Sequence, residues 1–164
     1  MVSITAAHST EDFKTISELA RNIWTQHYTP IIGEQQVTYM LDKFQSSAAI
    51  EGQVKNGYSY FLLQYEQVPV GYFAFRVDED FLFLSKIYVQ SSHRGKGVGR
   101  RAIEFMKTRV KELNLKKIRL TVNKYNSNSI KAYEKIGFIN VDSVVQDIGN
   151  GFVMDDYVLE KKID

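Results

Sequence analysis

The sequence predicts an α/β protein built on one central, mixed, twisted β-sheet of about six to seven strands flanked by helices. Three observations carry that prediction. Strand-like and helix-like segments follow one another in the order strand, helices, three strands, helix, strand, helix, two strands. A glycine-rich turn, Arg94-Gly95-Lys96-Gly97-Val98-Gly99, joins an apolar strand directly to a helix. No linker, repeat or low-complexity stretch interrupts the 164 residues, so 1–164 reads as a single domain.

The elements follow in order. An opening strand runs from about Val2 to Ala7. Ser9-Thr10-Glu11-Asp12 has the composition of a helix start, and Phe13, Ile16, Leu19, Ala20, Ile23 and Trp24 then recur at helical spacing. Pro30 is expected to break that helix. Glu34 to Phe44 and Ser46 to Val54 read as two shorter helices. Tyr58 to Tyr65 and Val70 to Val77 are strands separated by a hairpin-like interruption, Glu66-Gln67-Val68-Pro69, and Asp78-Glu79-Asp80 turns the chain into a third strand, Phe81 to Val89. The helix after the glycine turn spans about Gly97 to Leu113, with Val98, Ala102, Ile103, Phe105, Met106 and Val110 as its buried stripe. Lys117 to Val122 is a strand and Ser127 to Ile136 a helix closed by Gly137. Two last strands, about Ile139 to Gln146 and Gly151 to Glu160, are joined by a turn over Asp147 to Gly151.

Composition excludes several function classes. Cysteine is absent, which rules out disulfides and thiolate chemistry. No apolar run reaches the ~18 residues of a membrane span. The first residues lack the basic and apolar regions of a signal peptide, which points to the cytoplasm. The formal charge of +2 is too small to argue for nucleic acid. Its distribution is uneven, because His93 to Lys117 carries nine Lys and Arg against Glu104 and Glu112. His8, His27 and His93 have no metal-ligand spacing, so no metal is expected.

The glycine turn is built for an anion. Glycine allows close backbone approach, and the helix start behind it offers unpaired N–H groups and the positive end of a dipole. Arg94, Lys96, Arg100 and Arg101 add full charges. Lys96 is followed by Gly97 rather than Ser or Thr, so the phosphate loop of nucleotide triphosphatases is excluded. Gly95, Gly97 and Gly99 are spaced G-x-G-x-G, and the charges about 20 residues on are basic, so a dinucleotide fingerprint is excluded as well. The pattern present is Arg/Gln-x-x-Gly-x-Gly. A second constellation, Asn126-Ser-Asn-Ser-Ile-Lys-Ala-Tyr133-Glu-Lys-Ile-Gly-Phe138, follows the next strand.

Together the two motifs resemble the acyl-CoA-binding signatures of the GNAT (Gcn5-related N-acetyltransferase) superfamily, in the family's order. The resemblance is firm over Tyr58 to Glu160 and looser over the N-terminal helices. Within the family the chain looks loosely like the small bacterial polyamine-type acetyltransferases. The resemblance implies acetyl transfer from acetyl-CoA directly to a primary amine, a small amine or polyamine. It implies that the backbone of Ile87, Tyr88 and Val89 pairs with the pantetheine arm, and that Arg94, Gly95, Lys96, Gly97, Val98, Gly99 and Arg100 hold the pyrophosphate. Asn126 and Ser129 would lie against the cofactor, and Tyr133 would bind beside it and protonate the departing thiolate. Trp24 and Tyr28, with His27 and Tyr39 near them, would build the acceptor pocket. A homodimer through sheet edges or the closing strands is an assembly that the resemblance allows, but no interface is legible in the residues.

The chemistry is consistent with those residue types. The amine attacks the thioester directly, so no protein nucleophile is needed. A phenol of pKa ~10 can protonate a thiolate of pKa ~8.5 at little cost, and an N–H near Val89 could stabilise the developing oxyanion. Making an alkylamine of pKa ~10.4 neutral at pH 7 costs about 4–5 kcal/mol. A base would help, yet Phe81 to Lys86 has no carboxylate where many relatives carry a glutamate. Ser85, Tyr88, Glu34, Asp155 and Asp156 remain as candidates, and Asp78 to Asp80 with Asp155 and Asp156 could receive a cationic acceptor. Three other readings compete: acetylation of a protein N-terminus or lysine, a non-catalytic acyl-CoA binder, and an RNA-binding domain using the basic stripe.

Overall fold

The computed structural model describes Met1–Asp164 throughout. Strand β1 (Val2–Ala6) pairs with β2 (Ser59–Tyr65), β2 with β3 (Val68–Val77) and β3 with β4 (Phe81–Val89), all antiparallel. β4 then pairs in parallel with β5 (Lys117–Asn123). β7 (Phe152–Lys162) and the edge strand β6 (Ile139–Gly149) complete the sheet antiparallel, giving the order β1-β2-β3-β4-β5-β7-β6. The predicted class and element order hold, with seven strands.

Strand alternation divides the apolar side chains between two cores. Tyr60 and Leu62 face a cluster with α1 (Thr10–Ile32), α2 (Glu34–Gln45) and α3 (Ser47–Lys55). Phe61 and Leu63 face the other side, against Val98, Ala102, Ile103, Met106 and Val110 of α4 (Val98–Glu112). The short α5 (Ser127–Lys135) lies on this second side, with Ile130 and Tyr133 packed against the same core and no fully buried residue of its own. Phe105, expected in the buried stripe, is half-buried at its rim, where its ring meets Phe61 and Phe73.

Local chemistry explains the boundaries. Ser9 caps α1 in a reciprocal box: Asp12 N–H donates to Ser9 Oγ at 3.1 Å, and Ser9 N–H donates to Asp12 Oδ2 at 3.3 Å. Contrary to the expectation, Pro30 does not end this helix, which continues to Ile32. Proline forfeits one intrahelical bond, its own to Gln26 O, and only two residues of helix follow it. The stop is Gly33, whose φ of 88° leaves the helical region and whose N–H bonds Thr29 O. The β2–β3 hairpin also differs from expectation. Its turn is Glu66-Gln67 with φ of 51° and 68°, and β3 begins at Val68, so Pro69 lies within the strand. It sits beside a register shift between Leu63 and Gln64, where a missing N–H is tolerated. β6 likewise runs on to Gly149, beyond Gln146, before turning tightly at Asn150-Gly151.

One irregularity positions the site. Leu84 lies opposite Phe75 and Lys86 opposite Ala74, so Ser85 is an extra residue bulged out of the β3–β4 ladder. The bulge reverses the phase of β4. Leu82 and Leu84 face the α4 core before it; after it Ile87 and Val89 pack there, while Tyr88 packs toward α1.

Gly71 holds β3 close to that altered segment, because a Cβ there would collide with the carbonyl of Tyr88. We expect Gly71→Ala to lower stability by about 1–3 kcal/mol through displacement of the β4 backbone. Thermal denaturation measures this, and an unchanged Tm would show that β4 yields freely.

Candidate active site

Pairing between β4 and β5 stops at Leu84 and Leu120. Beyond it, β4 stays bonded to β3 as far as Val89, and β5 to β7 as far as Asn123. The two strands therefore diverge, and each keeps one free edge. A cavity of about 600 Å³ opens in the divergence and reaches both faces of the sheet.

The side toward α4 carries the glycine turn. Gly97 caps α4 in the left-handed region, with φ of 81°, and Gly95 has the same φ. A Cβ at Gly95, Gly97 or Gly99 would meet nothing within 4 Å, so the turn presents open backbone. The first helical bond of α4 runs from Arg101 N–H to Gly97 O, which leaves the amides of Val98, Gly99 and Arg100 without a backbone acceptor. Arg94 and Arg100 line the cavity with these groups. These residues fit a phosphate-bearing cofactor, and the free β4 edge at Ile87 to Val89 fits the amide-bearing arm of coenzyme A. Lys96 does not join them; its ammonium lies 4.9 Å from the centroid of the Tyr65 ring.

Asn126 occupies the N-cap position of α5 but makes no side-chain cap bond, and it is 4% exposed. Its side chain lies near the His27 ring of α1. Burial lowers the His27 pKa, and the nearby Arg94 charge lowers it further. Ser129 and Tyr133 follow on the cavity wall. Tyr133 stacks edge-on against Phe138 at 5.5 Å, and its hydroxyl makes no hydrogen bond to the protein. Burial raises its pKa, with the Tyr28 phenol adding to the effect, so Tyr133 keeps its proton throughout the neutral range.

The side toward α1 is aromatic. Tyr28 and Tyr88 share a hydrogen bond of 2.9 Å, and the Trp24 ring packs on both at 5.5 and 5.4 Å. Burial pushes the Tyr28 pKa to about 12 and Tyr88 well above its ordinary value. Trp24 is 2% exposed, so it acts chiefly as a support behind the two phenols. Ile32, Gln36 and Met40 from the helices and Met154 from β7 close the far end. There α2 is fastened to the β6–β7 hairpin: Tyr39 Oη donates to Ile148 O at 2.7 Å, Lys43 Nζ to the same oxygen at 2.6 Å, and Gln36 Nε2 to Val153 O at 2.9 Å.

The structure separates the candidate acids. Asp156 lines the cavity and is 5% exposed. Burial, and then the neighbouring Asp155, raise its pKa to about 6. Asp155 is paired with Lys124 at 2.8 Å and lies outside the cavity lining. Asp78 pairs with Arg76 at 2.8 Å in the β3–β4 turn, at the opposite end of β4 from the cavity. Glu34 is exposed at the start of α2 and Tyr39 is engaged with the hairpin, so neither reaches the chamber. Sequence reasoning overlooked Lys86, Gln36, Met40 and Met154. A lysine inside an apolar strand was the one available signal; the others depend on how α2 and the hairpin meet.

No helix is long and apolar enough to cross a membrane, and no cluster of His, Cys, Asp and Glu could hold a metal ion. No curated protein sequence matches the chain significantly. Among solved structures, the PaiA N-acetyltransferase of Thermoplasma acidophilum in complex with coenzyme A superposes with a TM-score of 0.83 at 21% identity, over 99% of each chain. A GNAT-family acetyltransferase from Staphylococcus aureus Mu50 gives 0.75 at 17% identity, over 100% of each chain. The ribosomal-protein-S18-alanine N-acetyltransferase of Escherichia coli gives 0.72 at 16%, over 100% of this chain and 95% of that one. At these identities the likeness establishes the fold. The sequence profile of the acetyltransferase (GNAT) family matches residues 17–138. Because that match spans most of the chain, and takes in both the glycine turn and Tyr133, the chain belongs to the acetyltransferase (GNAT) family and is an N-acetyltransferase with acetyl-CoA as its acetyl donor.

Proposed function

We propose that the chain acetylates the primary amine of a small molecule, with Tyr133 as general acid and Asp156 as the group that binds and deprotonates the amine. The observation that carries this reading is the continuity of one cavity through the sheet. It joins the phosphate cradle on one face to a chamber with a single buried carboxylate on the other.

Acetyl-CoA supplies an activated thioester; the chain's residues position it and handle the protons. The amides of Val98, Gly99 and Arg100, with Arg94 and the Arg100 side chain, bind its phosphates, and Asn126 and Ser129 flank its arm. Trp24 fixes Tyr28 and Tyr88 as the acceptor wall. Asp156 is ionised at neutral pH and attracts an ammonium, yet desolvation makes it more basic than an ordinary carboxylate, which shortens the gap to an amine of pKa ~10.4. The Tyr133 hydroxyl has no partner in the protein, so its hydrogen is free for the leaving sulfur. Its raised pKa makes full proton transfer more uphill than for an ordinary phenol, and hydrogen bonding to the developing thiolate supplies the early part of its effect.

The fastening of α2 to the hairpin favours a compact acceptor over an extended peptide. The acidic residues that could have received a polyamine are dispersed, and Asp156 alone lines the cavity. One carboxylate suits one ammonium.

We expect Tyr133→Phe to reduce turnover by about one to two orders of magnitude with little change in acetyl-CoA affinity. Steady-state kinetics and calorimetry separate the two, and undiminished turnover would remove Tyr133 from the mechanism. For Asp156, the folded-state pKa is about 6 against an ordinary 3.8. The folded protein holds that proton more tightly, so the stabilisation is complete below the unfolded value and is lost as pH rises through about 6. Asp156→Asn should therefore be more stable than the parent near neutral pH, by up to about 3 kcal/mol, with the difference vanishing below about pH 4. The same variant should lose about two orders of magnitude in kcat/KM, together with the inflection near 6 in the pH profile. A variant as active as the parent would exclude Asp156 as the base.

A further inference from the structure

The acceptor chamber holds a charge for which the transfer chemistry has no use. Lys86 stands opposite Ala74 in the β3–β4 register, so it projects from the face that α1 covers, beside the Ser85 bulge and two residues before Tyr88. It lines the cavity and is half-buried. Its Nζ donates to Ser85 Oγ at 2.9 Å. It takes no part in any of the ion pairs of the chain. Burial alone lowers its pKa to about 8, and no charged neighbour offsets that effect. The ammonium remains largely protonated at neutral pH.

Apart from its bond to Ser85 Oγ, Lys86 has no polar partner in the chain that would account for a cation in this position. Desolvating it without a counter-ion is costly, and the small Ala74 opposite leaves room for an aliphatic side chain. Lys86 lies outside the phosphate cradle, which begins at Arg94 beyond the end of β4 and fronts α4 rather than α1. Asp156 does not neutralise it either. The two residues stand on β4 and β7, across the gap where β4 and β5 part, and neither perturbs the other. The chamber thus presents one anion and one cation on opposite walls, with Ile32, Met40 and Met154 as an apolar surface at its end.

We infer that Lys86 binds an anionic group of the acceptor, so that the molecule acetylated is a zwitterionic amine of the amino-acid class, its amine toward Asp156 and its carboxylate on Lys86. The apolar surface suits an aliphatic or thioether side chain. A polyamine would bring a second positive charge against Lys86 and is disfavoured. This inference rests on the small-amine transferase reading above.

Matched acceptors test it. Thiol release from acetyl-CoA is measured with L-methionine, L-methioninamide and 3-(methylthio)propylamine, with the corresponding leucine set, and with spermidine. The amide is the least basic amine of each set and the decarboxylated amine the most basic, so the comparison with the amide, in which the neutral fraction runs against the carboxylate, decides the test. We expect kcat/KM to favour the carboxylate form by roughly tenfold or more, in line with one charge-assisted contact. Lys86→Met should abolish that preference, raising KM for the acid, and Lys86→Arg should restore most of it. Coenzyme A affinity, measured in parallel, verifies that each variant is folded. Preference for spermidine or for amines without a carboxylate, or a preference that survives in folded Lys86→Met, overturns the assignment and leaves the transferase reading standing. No transfer to any of these amines by a protein that binds acetyl-CoA overturns both.

Discussion

Parallel pairing between β4 and β5 lasts only from Phe81 and Lys117 to Leu84 and Leu120, and the cradle, the chamber and their alignment all rest on its interruption there. A sheet can tolerate such a gap because each strand remains bonded on its other side, β4 to β3 and β5 to β7. The free edges still hold polar backbone groups that require partners. They give the gap the unpaired donors and acceptors that an extended, amide-bearing molecule would need to add a strand there. The Ser85 bulge adds the second half of the arrangement, turning Lys86 and Tyr88 toward one face of the gap and Ile87 and Val89 toward the other.

The electrostatics are graded across this gap. Full positive charges and open amides stand at the phosphate end. Three phenols that stay neutral fill the middle, and two charges of opposite sign stand on the walls of the chamber beyond them. In the phenols, the lysine and Asp156, burial is the largest cause of the altered acidity. The site therefore works by withholding water from a few groups rather than by crowding charges together.

Most of the fold was legible because its signals are local. Alternation, helical spacing and caps such as Ser9 act within a few residues, and the element order followed from them. The misread points were matters of degree. Pro30 does break helices in their interiors, but Gly33 was close enough to be the true terminus. The glycine-turn side of the cavity was legible too, since the turn and the helix start that form it are contiguous. Lys96 was the exception, because its side chain is drawn to Tyr65 on another strand. The acceptor end was largely illegible. It is assembled from α1, α2, β4 and β7, and Asp155 and Asp156 are equivalent on paper until strand alternation puts one in the chamber and the other beside Lys124.

The hairpin that closes the acceptor chamber is secured differently from the rest of the sheet. Along β6 only Ile148 is buried, and the hairpin reaches α2 through three side-chain donors on two carbonyl oxygens. Such bonds are worth about 1 kcal/mol each, whereas the amides of central strands open only at close to the full cost of unfolding. The cavity wall on the α2 side is thus held by side-chain bonds, whereas β4 and β5 are held by the backbone ladders to β3 and β7. The girth of the chamber is therefore fixed by those three bonds and the Tyr39–Phe152 ring contact, and it can widen only where they are given up.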